Sequence, residues 1–198
     1  MLTKRVFDIS ISLVLLIILI PVIIIIGVCI MTSLGSPIFF IQKRPGLHSK
    51  PFNLIKFRSM KEKIDVDGIL SEDRFRITPF GSYIRKYSID EHPELWNVLK
   101  GDMSLVGPRP LLLEYIPLYS KEQLRRHNIL PGITGWAQIN GRNAISWEEK
   151  FEYDLWYIDN HSFLLDIKIL YITLKKIIIK EGIYNSEGQS VSKFKGNK

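Results

Sequence analysis

The chain has 198 residues, enough for one domain with a core of its own, and carries 27 Lys and Arg against 20 Asp and Glu. Its net charge of +7 points to an anionic partner: nucleic acid, an acidic membrane surface or a phosphorylated substrate. The lone cysteine, Cys29, excludes a disulfide framework and a cysteine-based zinc site, and there is no G-x-G-x-x-G, no P-loop and no metal-spaced histidine set.

Lys4 and Arg5 lead into an uncharged segment from Ile9 to Gln42. Within it Leu13–Met31 is almost wholly aliphatic and 19 residues long, the length of a membrane helix. Pro21 falls near its middle, where it removes a helix hydrogen bond and bends the chain. Each arm is roughly 12–15 Å long as helix, about half the ~30 Å hydrocarbon core. Basic residues flank both ends, with Lys43, Arg44, Lys50, Lys56 and Arg58 on the far side, and both clusters prefer the cytoplasm. A re-entrant helix–bend–helix satisfies this. A Pro-kinked spanning helix is the alternative, and must send Lys4 and Arg5 outside.

Ser33–Pro37 is a turn cluster that ends the apolar segment. Ile38–Lys43 and Phe52–Phe57 then predict a β-hairpin around PGLHSK. Lys56 and Arg58 share one face of the second strand, either solvated, near lipid phosphates, or as one wall of an anion site. Lys61–Arg76 reads as a solvated loop and short helix; its D-V-D-G is an incomplete calcium pattern and is discounted. Phe80–Tyr87 predicts a basic amphipathic helix that brings Arg85 close to Asp90.

The central stretch is Ser88–Pro110, SIDEHPELWNVLKGDMSLVGPRP. Two adjacent acids, Asp90 and Glu91, precede a short apolar run, and Arg109 stands between two prolines. A carboxylate attacks or binds a metal, and a planar guanidinium matches phosphate oxygens, so the set suits phosphate chemistry. The plainer reading is a capping box, Ser88 with Glu91, that only starts a helix. Pro93 fits a helix that begins nearer Asp90 or His92 better than one capped at Ser88. In either frame a helix start favours ionised carboxylates, as a nucleophile or metal ligand requires.

Leu111–Tyr119 carries apolar residues and Glu114, and Lys121–Asn128 predicts a polar helix. PGITGWAQINGRN, Pro131–Asn143, holds three glycines, three amide side chains and Arg142, which suggests close backbone approach to a ligand, although turns also collect glycine. Ser146 with Glu149 forms a capping box for a helix rich in aromatics that runs through Tyr157. Phe163–Lys180 is strongly apolar but carries Asp166, Lys168, Lys175, Lys176 and Lys180, too many charges for a span. An interfacial helix with snorkelling lysines and a helix partly buried against the domain both fit. From Asn185 the chain is polar and basic, as in a disordered tail.

Taken together, KRVFDI before a proline-broken apolar run, QKRPG, KFRSM, the central stretch and PGITGWAQINGR resemble, in order and spacing, the bacterial sugar transferase family, the monotopic phosphoglycosyl transferases. The likeness covers nearly the whole chain, which is similar to short members holding only the catalytic domain. It also extends, through the tail EGQSVSKFKG, to those that start bacterial protein N-glycosylation.

The resemblance implies transfer of a phosphosugar from a UDP-sugar to polyprenol phosphate, with release of uridine monophosphate. It makes Asp90 the covalent nucleophile, with magnesium beside it, and Glu91 its assistant at the lipid phosphate. Lys56, Arg85, Arg109 and Arg142 would line the phosphate-binding site, and the re-entrant topology would rest on Lys4, Arg5 and Pro21. Two positions depart from the family pattern: Ile20 replaces the serine often found before the proline, and Leu130 a base often found before P-G-I-T-G.

The expected fold is α/β, mostly helical with a small β-hairpin, monotopic, with interfacial amphipathic helices. Residues 1–36 form the membrane helix, 37–184 the catalytic domain at the cytoplasmic face of the inner membrane, and 185–198 a flexible basic tail. Expected partners are the UDP-sugar, polyprenol phosphate, phospholipids and downstream glycosyltransferases. The N-glycosylation likeness favours a diacetamido-trideoxy sugar such as bacillosamine. A non-catalytic scaffold of the same fold is the alternative; a nucleic-acid binder rests on charge alone and lacks any recognised module.

Overall fold

A computed structural model describes residues 2–61, 73–141, 145–179 and 193–196. The first element, α1 (Leu2–Leu34), is a continuous helix of 33 residues that contains Pro21. Asp8, Ser12, Gly27 and Ile30 are buried, and Leu16, Leu19, Ile23, Ile26 and Leu34 are half-buried, so one stripe at three- and four-residue spacing meets the rest of the chain. The outward face is apolar as well: Leu13, Val14, Ile17, Ile18, Ile20, Ile24, Ile25 and Val28 are exposed. A helix this long with an apolar outer face suits a bilayer.

Both ends of α1 are tied down by polar contacts. Arg5 donates to the carbonyls of Val98 (2.7 Å) and Leu99 (3.0 Å). Lys4 pairs with Asp166 at 2.6 Å, and Asp8 accepts from the Ser104 hydroxyl at 2.8 Å. At the other end the Arg58 guanidinium bonds the carbonyls of Leu34 and Ser36. Lys4, Arg5 and Arg58 therefore dock α1 to the domain. Arg58 is not a wall of the anion site, because its fork is taken up by helix-end carbonyls that lack intrahelical partners.

The hairpin forms as expected. Strands β1 (Phe39–Pro45) and β2 (Pro51–Phe57) pair antiparallel, from Phe39 opposite Phe57 to Pro45 opposite Pro51. Three short helices follow: α2 (Asp73–Arg76), α3 (Pro79–Lys86) and α4 (Glu94–Lys100). Asn97 of α4 stitches the hairpin on: its side chain accepts from Ile55 N–H (3.1 Å) and donates to the Asn53 carbonyl (2.8 Å). Gly101 closes α4 in the left-handed conformation, at φ 92°.

Within the glycine-rich segment, Gly132 and Gly135 serve close packing of backbone on backbone. Gly132–Thr134 is a strand, β4, that pairs parallel with β3 (Ser104–Val106). A Cβ at Gly132 would stand 2.0 Å from Gly107 N, and one at Gly135 would stand 2.2 Å from Gly107 O. These glycines admit one stretch of backbone against another. Beyond β4 come α6 (Trp136–Ile139), α7 (Trp147–Asn160) and α8 (Phe163–Ile179). Ser146 and Glu149 make the expected capping box at the head of α7. In α8 Asp166 and Ile169 are buried, as a helix partly buried against the domain requires, while Leu164, Tyr171 and Leu174 are exposed.

The expected polar helix at Lys121–Asn128 is shorter, α5 (Lys121–Leu124), and continues as a 3-10 turn that buries Arg126 and His127. Arg126 pairs with Asp154 of α7 at 2.6 Å, both side chains almost wholly inside. Above this pair lies an aromatic cluster of Tyr115, Tyr119, Phe151 and Phe194, with Trp147 at its edge. Of the expected tail, only Lys193–Gly196 is among the described residues, and there Phe194 is packed rather than free, because the cluster offers it an apolar seat.

Candidate active site

The acid pair sits on the turn between α3 and α4. Thr78 caps α3, accepting the Gly81 N–H at 3.0 Å, and Arg85 lies in its last turn. Ser88 takes a left-handed conformation and Ile89–Glu91 form one 3-10 turn. The capping box suggested by Ser88 and Glu91 is absent: Ser88 makes no capping bond, and Glu91 points at cations instead. Pro93 precedes the first residue of α4, where a missing N–H is tolerated.

Glu91 is the hub. Its Oε1 meets Lys56 Nζ at 2.8 Å, and both of its oxygens face the Arg109 guanidinium. Burial alone would raise the Glu91 carboxyl, but Arg109 and then Lys56 outweigh it and hold it well below the usual carboxylate range. Asp90 is the opposite case. It makes no hydrogen bond or ion pair with any described residue, and burial, then the Glu91 charge, push its carboxyl up to about 6. Lys56, Arg85 and Arg109 limit that rise. A helix start therefore does not depress Asp90, because desolvation and the neighbouring acid outweigh it, yet a carboxyl at about 6 is still mostly ionised at neutral pH.

Of the bases expected at a phosphate site, Lys56, Arg85 and Arg109 converge on this turn, and Arg142 lies outside the described residues. Two members were not singled out from sequence. Glu94 is buried in the first turn of α4, its Oε1 2.9 Å from Lys56 Nζ, and burial followed by the Glu91 charge raises it to about 7. Its place three residues after Glu91, on the same side of the turn, was the available signal. Arg44, on β1, feels both Arg109 and Glu94; burial and the Arg109 charge lower its guanidinium. It lies within the QKRPG motif, between Lys43 and Pro45.

The arrangement presents one unpaired, largely ionised carboxylate next to a pinned one, inside a set of guanidinium and ammonium groups. Such a site can bind a dianionic phosphate and offer it a nucleophile. Among the described residues no three His, Cys, Asp or Glu side chains gather to hold a metal by themselves. Asp90 is the carboxylate free to ligate, which fits a magnesium ion bound through one carboxylate, substrate phosphates and water.

Residues 1–180 match the family described as bacterial sugar transferase. A protein of Bacillus subtilis (strain 168), named as the uncharacterized sugar transferase EpsL, is 54% identical over 197 residues, covering 100% of this chain and 98% of its own. The undecaprenyl-phosphate glucose phosphotransferase of Komagataeibacter xylinus is 40% identical over 93% of this chain, and the undecaprenyl-phosphate galactose phosphotransferase of Salmonella typhimurium 39% identical over 91%. The matched regions span 37% and 41% of those two longer proteins.

Proposed function

Because the chain belongs to the bacterial sugar transferase family, we propose that it moves a phosphosugar from a UDP-sugar to undecaprenyl phosphate, through a covalent intermediate on Asp90. An Asp90 oxygen attacks the phosphorus that carries the sugar. The bond from that phosphorus to the bridging oxygen breaks, and uridine monophosphate leaves with the electron pair. The lipid phosphate then attacks the aspartyl phosphosugar, the acyl–phosphate bond breaks, and Asp90 returns as a carboxylate with the polyprenyl diphosphosugar as product. Splitting the transfer lets one set of cations serve both half-reactions.

The observation that carries this reading is the asymmetry of the acid pair: Asp90 is unpaired among the described residues, and Glu91 is pinned by Arg109 and Lys56. A carboxylate held as low as Glu91 is a weak proton acceptor. It instead orients Arg109 and Lys56, which with Arg85 offset charge on the transferring phosphate and its lipid acceptor. Magnesium, bound by Asp90 and the donor diphosphate, would supply further charge neutralisation.

For α1 the same reading takes the re-entrant form, in the inner membrane, with the domain at the cytoplasmic face. Its support is that Lys4 and Arg5 at one end and Leu34 at the other are held by the same domain. A span would carry one end to the opposite surface.

The test is uridine monophosphate release by purified protein in detergent with magnesium and undecaprenyl phosphate, offered UDP-glucose, UDP-galactose and UDP-diacetylbacillosamine. Release with one donor, lost in Asp90→Asn, is expected. Full activity in Asp90→Asn removes the covalent mechanism, and silence of the folded wild type towards every donor leaves a non-catalytic scaffold.

A further inference from the structure

Arg109 carries phosphate in the reading above, yet its loop is short and its guanidinium side chain is 42% exposed. Something must fix its backbone. Arg126 does so directly: its Nη2 donates to the Arg109 carbonyl at 2.9 Å. The same nitrogen pairs with Asp154 Oδ2 at 2.6 Å, Nε reaches that oxygen at 3.1 Å, and Nη1 reaches the Tyr119 hydroxyl at 3.3 Å. A planar fork bound on three sides has one orientation.

Such a pair is strong only while water is kept out. The aromatic cluster provides that cover. The Arg126 guanidinium lies 5.8 Å from the Tyr119 ring centre and 5.7 Å from that of Phe151. Phe194 completes the cover. It is 5% exposed, with its ring 5.1 Å from Phe151, 5.6 Å from Trp147, 5.7 Å from Tyr115 and 5.9 Å from Tyr119. Phe194 thus belongs to the last few residues of the chain, yet it packs on the layer that holds Arg109.

We propose that Phe194 is a positioning residue: its docking into the Tyr115–Tyr119–Phe151–Trp147 cluster keeps Arg126 on Asp154 and on the Arg109 carbonyl, and so sets Arg109 for the donor diphosphate. The order of support runs from Phe194 to Tyr119 and Phe151, to Arg126, to the Arg109 backbone. Phe194 touches no substrate. Removing it loosens the phosphate-binding loop while the hairpin, α1 and the Asp90 turn stay in place. The link to turnover rests on the proposed reaction; the link to the loop does not.

The test uses the full-length protein and Phe194→Ala, Phe194→Leu and Phe194→Tyr. Hydrogen exchange is followed in the peptides holding Arg109, Leu111 and Leu112 and in those of β1 and β2, beside steady-state uridine monophosphate release. Expected are faster exchange confined to the Arg109 segment and to the cluster in Phe194→Ala, and recovery in Phe194→Tyr. Expected too is a loss of roughly ten- to a hundredfold in kcat/KM, chiefly through KM for the donor. If Phe194→Ala fails to fold, Phe194→Leu is read in the same way. Unchanged exchange at Arg109, or exchange raised equally in β1 and β2, overturns the proposal, as does wild-type kcat/KM in an active preparation. If the wild type turns over no donor, the reaction fails and the exchange result alone decides the role of Phe194.

Discussion

Asp90 bears a cost that Glu94 shares and Glu91 does not. Burial and the adjacent Glu91 raise its carboxyl to about 6, against 3.8 ordinarily. The folded state therefore holds that proton more tightly than the unfolded chain, and stability falls as pH rises between the two values. Asp90→Asn does not titrate, so above about pH 6 the variant should be more stable than wild type, and the difference should vanish below about pH 4. The full shift would correspond to roughly 3 kcal/mol, which partial exposure reduces to about 1–2 kcal/mol. Thermal unfolding at pH 4 and pH 7.5 reads this; equal differences at both would remove the argument. In the proposed reaction the same titration gives an acid limb in kcat/KM near pH 6, since a protonated Asp90 is no nucleophile. Stability given up at a buried carboxylate is a common feature of functional sites, and the proposed reaction uses it.

The elements divide by how local their causes are. The Ser146–Glu149 capping box was legible because both halves of the motif act within one turn. The same spacing at Ser88 and Glu91 left a capping box open, and Arg109 and Lys56, distant in sequence, decide against it by taking Glu91 from the helix start. The hairpin was legible in its alternation and turn. The parallel pairing of β3 with β4 was not, since three-residue strands carry no period and their partner lies far along the chain. Its glycines carry a testable consequence. Gly132→Ala places a methyl group on the Gly107 backbone and should destabilise the protein by about 3 kcal/mol or more, or prevent folding. A variant within 0.5 kcal/mol of wild type, a threshold of about the size of an ordinary surface change, would mean that the two stretches separate easily. The Gly101 cap needs no such partner; its φ of 92° is reason enough for glycine.

At the scale of the molecule, α1 and the turn that carries Asp90 are tied to the same element, α4. Arg5 holds the carbonyl end of α4, whose first turn carries Glu94 against Lys56. Lys4 reaches Asp166, which also accepts from the Tyr157 hydroxyl at 2.5 Å. A domain gripping both ends of α1 favours re-entry, and a labelling experiment decides it. With Cys29→Ser as background, Leu2→Cys should react with an impermeant maleimide in inverted vesicles and stay unlabelled in intact cells. Labelling from outside intact cells would make α1 a span.

The sequence by itself determined the parts whose causes are local or compositional. These are the long apolar N-terminal segment, the hairpin, the amphipathic α3, the α7 cap, and the presence of an acid pair with a proline-framed arginine; the motif order carried the family. Only the tertiary structure decided which charges meet. It drew Glu91 to Arg109 and Lys56, left Asp90 unpaired among the described residues, added Glu94 and Arg44 to the site, turned Arg58 into a helix-end clamp, and seated Phe194 on the Arg126 layer. The reason is that ion pairing and desolvation depend on distances across the fold and on the dielectric around each group. Neither quantity is written in residue spacing.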